Sequence, residues 1–153
     1  MIATEAAVRF GAEFIADSWA EALPLMKAHW DEIEDQSIKF DPDFETYKKL
    51  DEMQALRVFT ARSESNELLG YCVYFVQMNP LSKSLLQANQ NALFIKKGSR
   101  GFGKKFIEWC DDLLKKEGIN QVFHHVSVLH DYSAILRRLG YKMTYSIYSR
   151  RIS

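Results

Sequence analysis

The chain of 153 residues has no apolar run long enough to cross a bilayer; the longest, Tyr71 to Val76, is far too short. It opens with no signal-peptide pattern, so the expected setting is soluble and cytoplasmic. It has no excess of charge of either sign: net charge is zero and the pI is about 6.9. Nothing global therefore draws it to nucleic acid or to an anionic membrane, and neither is an expected partner. Cysteine is scarce, with only Cys72 and Cys110, each inside an apolar pattern. Both read as small buried hydrophobes, which argues against a disulfide framework. There is no repeat, low-complexity tract or linker, so residues 1–153 read as a single domain large enough to bury its own core.

What is present is an ordinary globular composition, 47% hydrophobic and 26% charged, with a legible order of elements. A short strand is expected around Ala7–Phe10. Phe14, Trp19, Leu23, Met26 and Trp30 then recur at helical spacing, and Pro24 is expected to split that stretch into two helices. Asp41 and Pro42 predict an N-cap and first helical position for a helix through about Asp51. Leu56–Arg62 and Leu68–Met78 read as a hairpin around the Ser63–Glu67 turn. Pro80 begins a loop and Leu86–Ile95 is a third strand. Phe102, Phe106, Ile107, Cys110, Leu113 and Leu114 form an apolar helical stripe that Gly118 stops. Val122–Val128 is a further strand, Asp131 caps a short helix ending at Gly140, and Tyr141–Ile152 closes with a strand or hairpin arm. Antiparallel strands followed by strand–helix–strand–helix–strand imply a mixed sheet with helices on both faces.

The segment Phe94-Ile95-Lys96-Lys97-Gly98-Ser99-Arg100-Gly101-Phe102-Gly103-Lys104-Lys105 carries the chemistry. A strand ends in three glycines and five basic residues, and a helix begins at once. Glycine permits close backbone approach, and a helix N-terminus offers free N–H groups and the positive dipole end, so this is a cradle for a polyphosphate-bearing ligand. Gly98-x-x-x-x-Gly103-Lys104 nearly completes a nucleoside-triphosphatase P-loop. Lys105, however, stands where a Ser or Thr hydroxyl should hold magnesium, and no second metal ligand is apparent. The dinucleotide fingerprint fails too, with Phe106 in place of its third glycine. No metal is expected.

A third pattern fits: strand, short basic Gly-x-Gly turn, amphipathic helix. Here the chain resembles the GNAT superfamily of N-acetyltransferases, whose Arg/Gln-x-x-Gly-x-Gly/Ala signature falls on Gly98-Ser99-Arg100-Gly101-Phe102-Gly103. The resemblance continues through Phe106-Ile107-Glu108-Trp109-Cys110 to Lys116-Glu117-Gly118, and on to Leu136-Arg137-Arg138-Leu139-Gly140-Tyr141. The region from His29 through Tyr47 to Tyr71 is similar to small GNAT-like proteins of bacteriophage genomes. Two positions depart from the family pattern: Gly98 replaces its Arg or Gln, and Leu136 replaces the tyrosine that in many members protonates the departing thiolate.

The resemblance implies an α/β fold: a mixed, mostly antiparallel sheet of six to seven strands flanked by helices on both faces. It implies direct acetyl transfer from acetyl-CoA, as cosubstrate, to a primary amine, and a possible homodimer. Phe94, Ile95, Lys96, Gly98, Ser99, Arg100, Gly101, Phe102, Gly103, Lys104 and Lys105 are the implied cofactor-binding residues. An amine of pKa about 10.4 must lose a proton before attack. His124 and His125, neighbours on a strand, are candidate bases, and Tyr132, one turn before Leu136, is the candidate acid. Trp19, Trp30, Phe40, Tyr47 and Tyr74 are candidate walls of an acceptor pocket that also draws on the loop after Met78. Asp31, Glu32, Glu34 and Asp35 form an acidic cluster that reads more readily as a solvated helix face than as a cation site. The alternative to an enzyme is a catalytically silent CoA-binding or protein-interaction module.

Overall fold

The computed structural model describes residues 7–153. Among them the elements run β1 (Arg9–Ala12), α1 (Ile15–Ile33), α2 (Phe44–Glu52), β2 (Leu56–Arg62), β3 (Leu68–Asn79) and β4 (Ser82–Ile95). A 3-10 turn (Arg100–Phe102), α3 (Gly103–Lys116), β5 (Gln121–Phe123) and α4 (Ser133–Arg138) follow. The sheet order is β1-β2-β3-β4-β5, antiparallel until the last pair, β4 with β5, which is parallel. The expected mixed sheet is present with five strands rather than six to seven.

Strand alternation builds two cores, one on each face. Phe59, Cys72 and Tyr74 point to the face covered by α3 and α4, where they meet Phe106, Ile107, Cys110, Leu114 and Leu136. Val58, Tyr71, Val73 and Phe94 point to the face covered by α1 and α2, with Trp19, Met26 and Tyr47 packed on them. Both cysteines are free and fully buried.

Several elements differ from expectation for local reasons. Pro24 sits inside a single helix, α1, instead of dividing it. A proline costs about 3 kcal/mol within a helix, but Ile15 and Ala22 before it and Leu25 and Met26 after it all pack on the same core. Asp43, not Asp41, caps α2, its carboxylate accepting from the Thr46 N–H at 3.0 Å. β1 lies at Arg9–Ala12, two residues beyond the expected span, and β4 starts at Ser82, leaving only Pro80 and Leu81 between it and β3. β5 stops at Phe123 rather than reaching Val128. Tyr141–Ile152 forms no strand: no backbone hydrogen bond joins residues 142–153 to the other described residues.

One irregularity positions the site. In the β3–β4 ladder Val73 faces Ala92 while Tyr74 faces Gln90, so Asn91 is an extra residue, a bulge on β4. A bulge bends its strand and interrupts pairing. It falls just where β4 loses its partner on the other side.

Candidate active site

β4 and β5 pair only at Gln87–Asn89 with Gln121–Phe123. The last tie across them is a side chain: buried Gln90 accepts the His125 N–H at its Oε1, 2.9 Å. Beyond it β4 stays paired with β3 as far as Ile95, but among the described residues no strand pairs with its other edge, while residues 124–128 leave the sheet. The strands therefore splay into a wedge whose wall, Asn91–Ile95, offers backbone groups without a strand partner along one side, the Ile95 carbonyl alone being taken by the Arg100 side chain.

The wedge leads to the basic glycine turn. Gly98 adopts φ +88°, the left-handed conformation that favours glycine, and turns the chain toward α3. Neither the 3-10 turn nor α3 has a side-chain cap, and no acidic residue lies in the first turn of either. The Gly103 N–H donates to the Arg100 carbonyl, but the N–H groups that follow it in the first turn of α3, with the positive dipole end, are left for solvent or an anion. Lys104 and Lys105 are exposed beside them. A β-carbon on Gly101 would meet no atom within 4 Å, so the space in front of the turn is open. These features fit a diphosphate.

The other basic residues of the turn are already engaged. Arg100 donates through Nε to the Ile95 carbonyl (2.8 Å) and through Nη2 to both Glu32 oxygens (2.8 and 3.1 Å). Its guanidinium also lies 5.4 Å over the Phe94 ring. Glu32 is approached further by Lys97 (3.7 Å) and His130 (3.5 Å). Burial pushes the Glu32 carboxyl up, but the hydrogen bonds and charge of Arg100, with His130 and Lys97, hold it below the ordinary value. Lys96 pairs with Glu67 at 2.6 Å. Phe102 packs against Phe10 and Phe106, and Phe94 lies in the α1-side core against His29 (ring centroids 5.2 Å apart). Of the residues expected at a ligand, Phe94, Lys96, Arg100 and Phe102 thus have their side chains engaged within the protein itself.

The candidate catalytic residues separate into two kinds. His124 and Tyr132 come together, Nδ1 to OH 2.9 Å, and His124 Nε2 lies 3.5 Å from the Tyr74 hydroxyl. Burial, helped by the neighbouring His125, pushes the His124 pKa down to about 4, so its ring is neutral at pH 7. Burial pushes the Tyr132 hydroxyl well above its ordinary range, so it keeps its proton. Tyr141 packs edge-on to His124 (5.3 Å) and donates to Asp111 at 2.8 Å. His125 lies on the opposite side of the chain, exposed at the apex of the wedge. Leu136, where the family tyrosine would stand, is buried in the core. Asp131 accepts from the Ser133 N–H at 2.8 Å, the expected capping contact, although Tyr132 is the residue at the helix boundary.

On the α1 side a narrow cavity of about 40 Å³ lies between α1, α2 and the sheet, lined by Trp19, Met26, Tyr47, Tyr71, Asn91 and Ala92 among others. Its polar feature is the Tyr47 hydroxyl donating to the bulged Asn91 Oδ1 at 2.8 Å. Of the expected acceptor-pocket aromatics, Trp19 and Tyr47 border it. Tyr74 lies in the opposite core, and Trp30 and Phe40 pack against each other, rings tilted by 55°, and do not line it. The two-residue β3–β4 turn does not line it either. Sequence reading missed Gln90, Asn91 and the role of Glu32. Gln87, Asn89, Gln90 and Asn91 crowd the middle of the Leu86–Ile95 strand pattern with amides, which is the available signal; nothing in the sequence distinguishes Glu32 from its acidic neighbours.

No family model and no curated protein matches the sequence. Solved structures do match in three dimensions. An aminoglycoside acetyltransferase from an uncultured soil metagenomic sample, in complex with sisomicin, superposes with a TM-score of 0.73 at 19% identity, over 95% of this chain and 97% of that one. The ribosomal-protein-alanine N-acetyltransferase of Brucella melitensis gives 0.72 at 18% identity, over 96% of this chain and 100% of that one. A predicted acetyltransferase from Clostridium acetobutylicum, solved with acetyl-CoA, gives 0.72 at 12% identity, over 95% and 97% of the two chains. The fold is the acetyltransferase fold that the glycine turn and its flanking elements led us to expect.

Proposed function

We propose that the chain is an N-acetyltransferase that moves the acetyl group of acetyl-CoA directly to a primary amine. The observation that carries this reading is the splayed β4–β5 wedge ending on the uncapped N-terminus of α3. The wedge offers Asn91–Ile95 backbone groups to an amide-bearing arm. The open turn at Gly101 and the first N–H groups of α3, with Lys104 and Lys105 nearby, suit a diphosphate. The aminoglycoside, ribosomal-protein and acetyl-CoA proteins of the same fold support acetyl transfer as the chemistry.

When bound, acetyl-CoA supplies an acetyl group activated as a thioester. Transfer forms a nitrogen–carbon bond, breaks the carbon–sulfur bond, takes one proton from the amine and gives one to the thiolate. Tyr132 holds the proton for the thiolate at its hydroxyl, and His124 Nδ1 fixes where that hydroxyl points. His124, neutral and buried, positions rather than titrates. His125, exposed beside the apex and anchored through its backbone to Gln90, takes the amine proton, directly or through water. Tyr132 thereby takes the place of the tyrosine absent at Leu136.

Titration calorimetry with acetyl-CoA tests the binding half, and absence of binding overturns the proposal. Thiol release with polyamines, aminoglycosides and peptide N-termini tests turnover. Tyr132→Phe is expected to lower kcat roughly 100-fold, with KM for acetyl-CoA little changed. A second reading, CoA binding without turnover, is favoured by the apolar residue at Leu136; it predicts calorimetric binding and no thiol release with any amine.

A further inference from the structure

The narrow cavity between α1, α2 and the sheet is built of side chains that carry no charge. Ala22 of α1 with Val58 and Val73 of the sheet are buried in its floor, and the half-buried Trp19 and Tyr47 stand where it opens. Two small hydroxyls in the lining are engaged inside the protein. Ser18 donates to the Phe14 carbonyl at 3.5 Å and Thr60 to Glu13, a carboxylate that Arg62 in turn holds. The polar pair at the opening, Tyr47 with Asn91, is neutral.

Tyr71 is different. It lines the cavity and is only 4% exposed, but its hydroxyl has no hydrogen-bond partner among the described residues and remains accessible to one. A hydroxyl so placed is satisfied by whatever enters. Well-packed cores hold few voids larger than a water molecule, and an apolar void takes up apolar groups in preference to water. At about 40 Å³ this one has room for roughly three water-sized groups.

The cavity opens on the wedge. Asn91 and Ala92 belong both to its lining and to the wall of the wedge, and Gln90, the next residue back along β4, accepts the His125 N–H. An arm lying in the cavity therefore leaves its root beside the bulge, at the end of the wedge where His125 is anchored. We propose, resting on the acetyl-transfer reading, that this cavity selects the acceptor: a primary amine whose arm is short and uncharged, apolar but for one hydrogen-bonding group that can meet Tyr71. A second ammonium or a carboxylate on that arm would be buried with no opposite charge in the lining, which disfavours polycationic acceptors.

Amines with isosteric arms that differ only at the tip test the proposal in the thiol-release assay. Butylamine and 3-amino-1-propanol should each show kcat/KM at least ~100-fold above 1,3-diaminopropane. Ala22→Val fills part of the cavity and should lower the ratio of kcat/KM for butylamine over methylamine at least ~10-fold. Tyr71→Phe keeps the ring and removes the hydroxyl, and should lower the ratio for 3-amino-1-propanol over butylamine roughly 10-fold. Use of 1,3-diaminopropane as readily as butylamine, or ratios that neither variant moves, would overturn the proposal. If acetyl-CoA does not bind, or no amine is turned over, the acetyl-transfer reading is what fails. The cavity is then judged by the NMR signals of the Ala22 and Met26 methyl groups. Shifts on adding butylamine but not 1,3-diaminopropane uphold the selection of an uncharged arm; no shift with butylamine, or equal shifts with both, refutes it.

Discussion

A side chain at position 101 and one at position 103 would have different fates, although both glycines belong to the same turn. At Gly103 a β-carbon would touch Ile95 Cδ1 at 3.5 Å and Ile135 Cδ1 at 3.8 Å, so anything larger than alanine presses on the core. At Gly101 the space is empty and φ is not positive, so a larger residue fits without strain. The residue that reports ligand approach without disturbing the fold is therefore Gly101. Gly101→Leu is expected to leave stability within about 0.5 kcal/mol of the parent. It should weaken acetyl-CoA binding at least ~10-fold by filling the room in front of the N–H groups. Calorimetry and a denaturant curve on the same sample check both halves. Gly98→Ala also places its methyl in open space but at φ +88°, and should cost about 1–2 kcal/mol of stability.

At the scale of elements, α1 is joined to the end of β2 by one buried arginine. Arg62 at the end of β2 is 6% exposed and donates to both oxygens of Glu13 (2.8 and 2.9 Å) and both of Glu21 (3.0 Å each). Glu13 also accepts from Thr60. Arg62→Met should destabilise by about 3–5 kcal/mol, since it strands the half-buried Glu13 carboxylate. Glu21→Gln, at a side chain half exposed, should cost under about 1 kcal/mol; urea midpoints with unchanged slopes would confirm the contrast. This arrangement shows what the sequence made legible. Helix stripes, the β2–β3 hairpin, the glycine turn and the buried cysteines follow from periodicity and turn chemistry within short windows. The Arg62 network, the Glu32–Arg100 pair and the His124–Tyr132 contact join residues as much as 68 positions apart, and no local pattern marks them. β5 was overextended because Val122–Val128 reads as strand, while the Gln90 side chain ends its pairing. The stretch after Gly140 alternates like a strand but forms none, since alternation alone supplies no ladder partner and no backbone hydrogen bond ties 142–153 to the other described residues.

For the whole molecule the buried titratable groups set an acid limit whose slope can be counted. His124 and His29 both have pKa values pushed down to about 4, chiefly by burial, against about 6.5 in an unfolded chain. Each is unprotonated when folded and protonated when unfolded between about pH 6.5 and 4, so each removes stability as pH falls through that window. Asp111 acts oppositely. Its pKa is pushed up to about 6 by burial, against the Tyr141 hydrogen bond, so near pH 5 it holds a proton when folded and not when unfolded. Near pH 5 these groups leave the unfolded chain about one net proton richer, so stability should rise with pH by about 1.4 kcal/mol per unit. The carboxyls of Glu13 and Glu32, held below their ordinary values by Arg62 and Arg100 against the effect of burial, add the same sign only as pH drops toward about 4.5. Asp111→Asn removes the opposing group while leaving an acceptor for the Tyr141 hydroxyl. The slope near pH 5 should then approach about 2.7 kcal/mol per unit, and the variant should match or exceed the parent at pH 8, where the buried carboxylate no longer has to be charged. Urea unfolding of both proteins at half-unit steps from pH 4.5 to 8 measures this, and parallel slopes near pH 5 would show that Asp111 does not titrate against the two histidines.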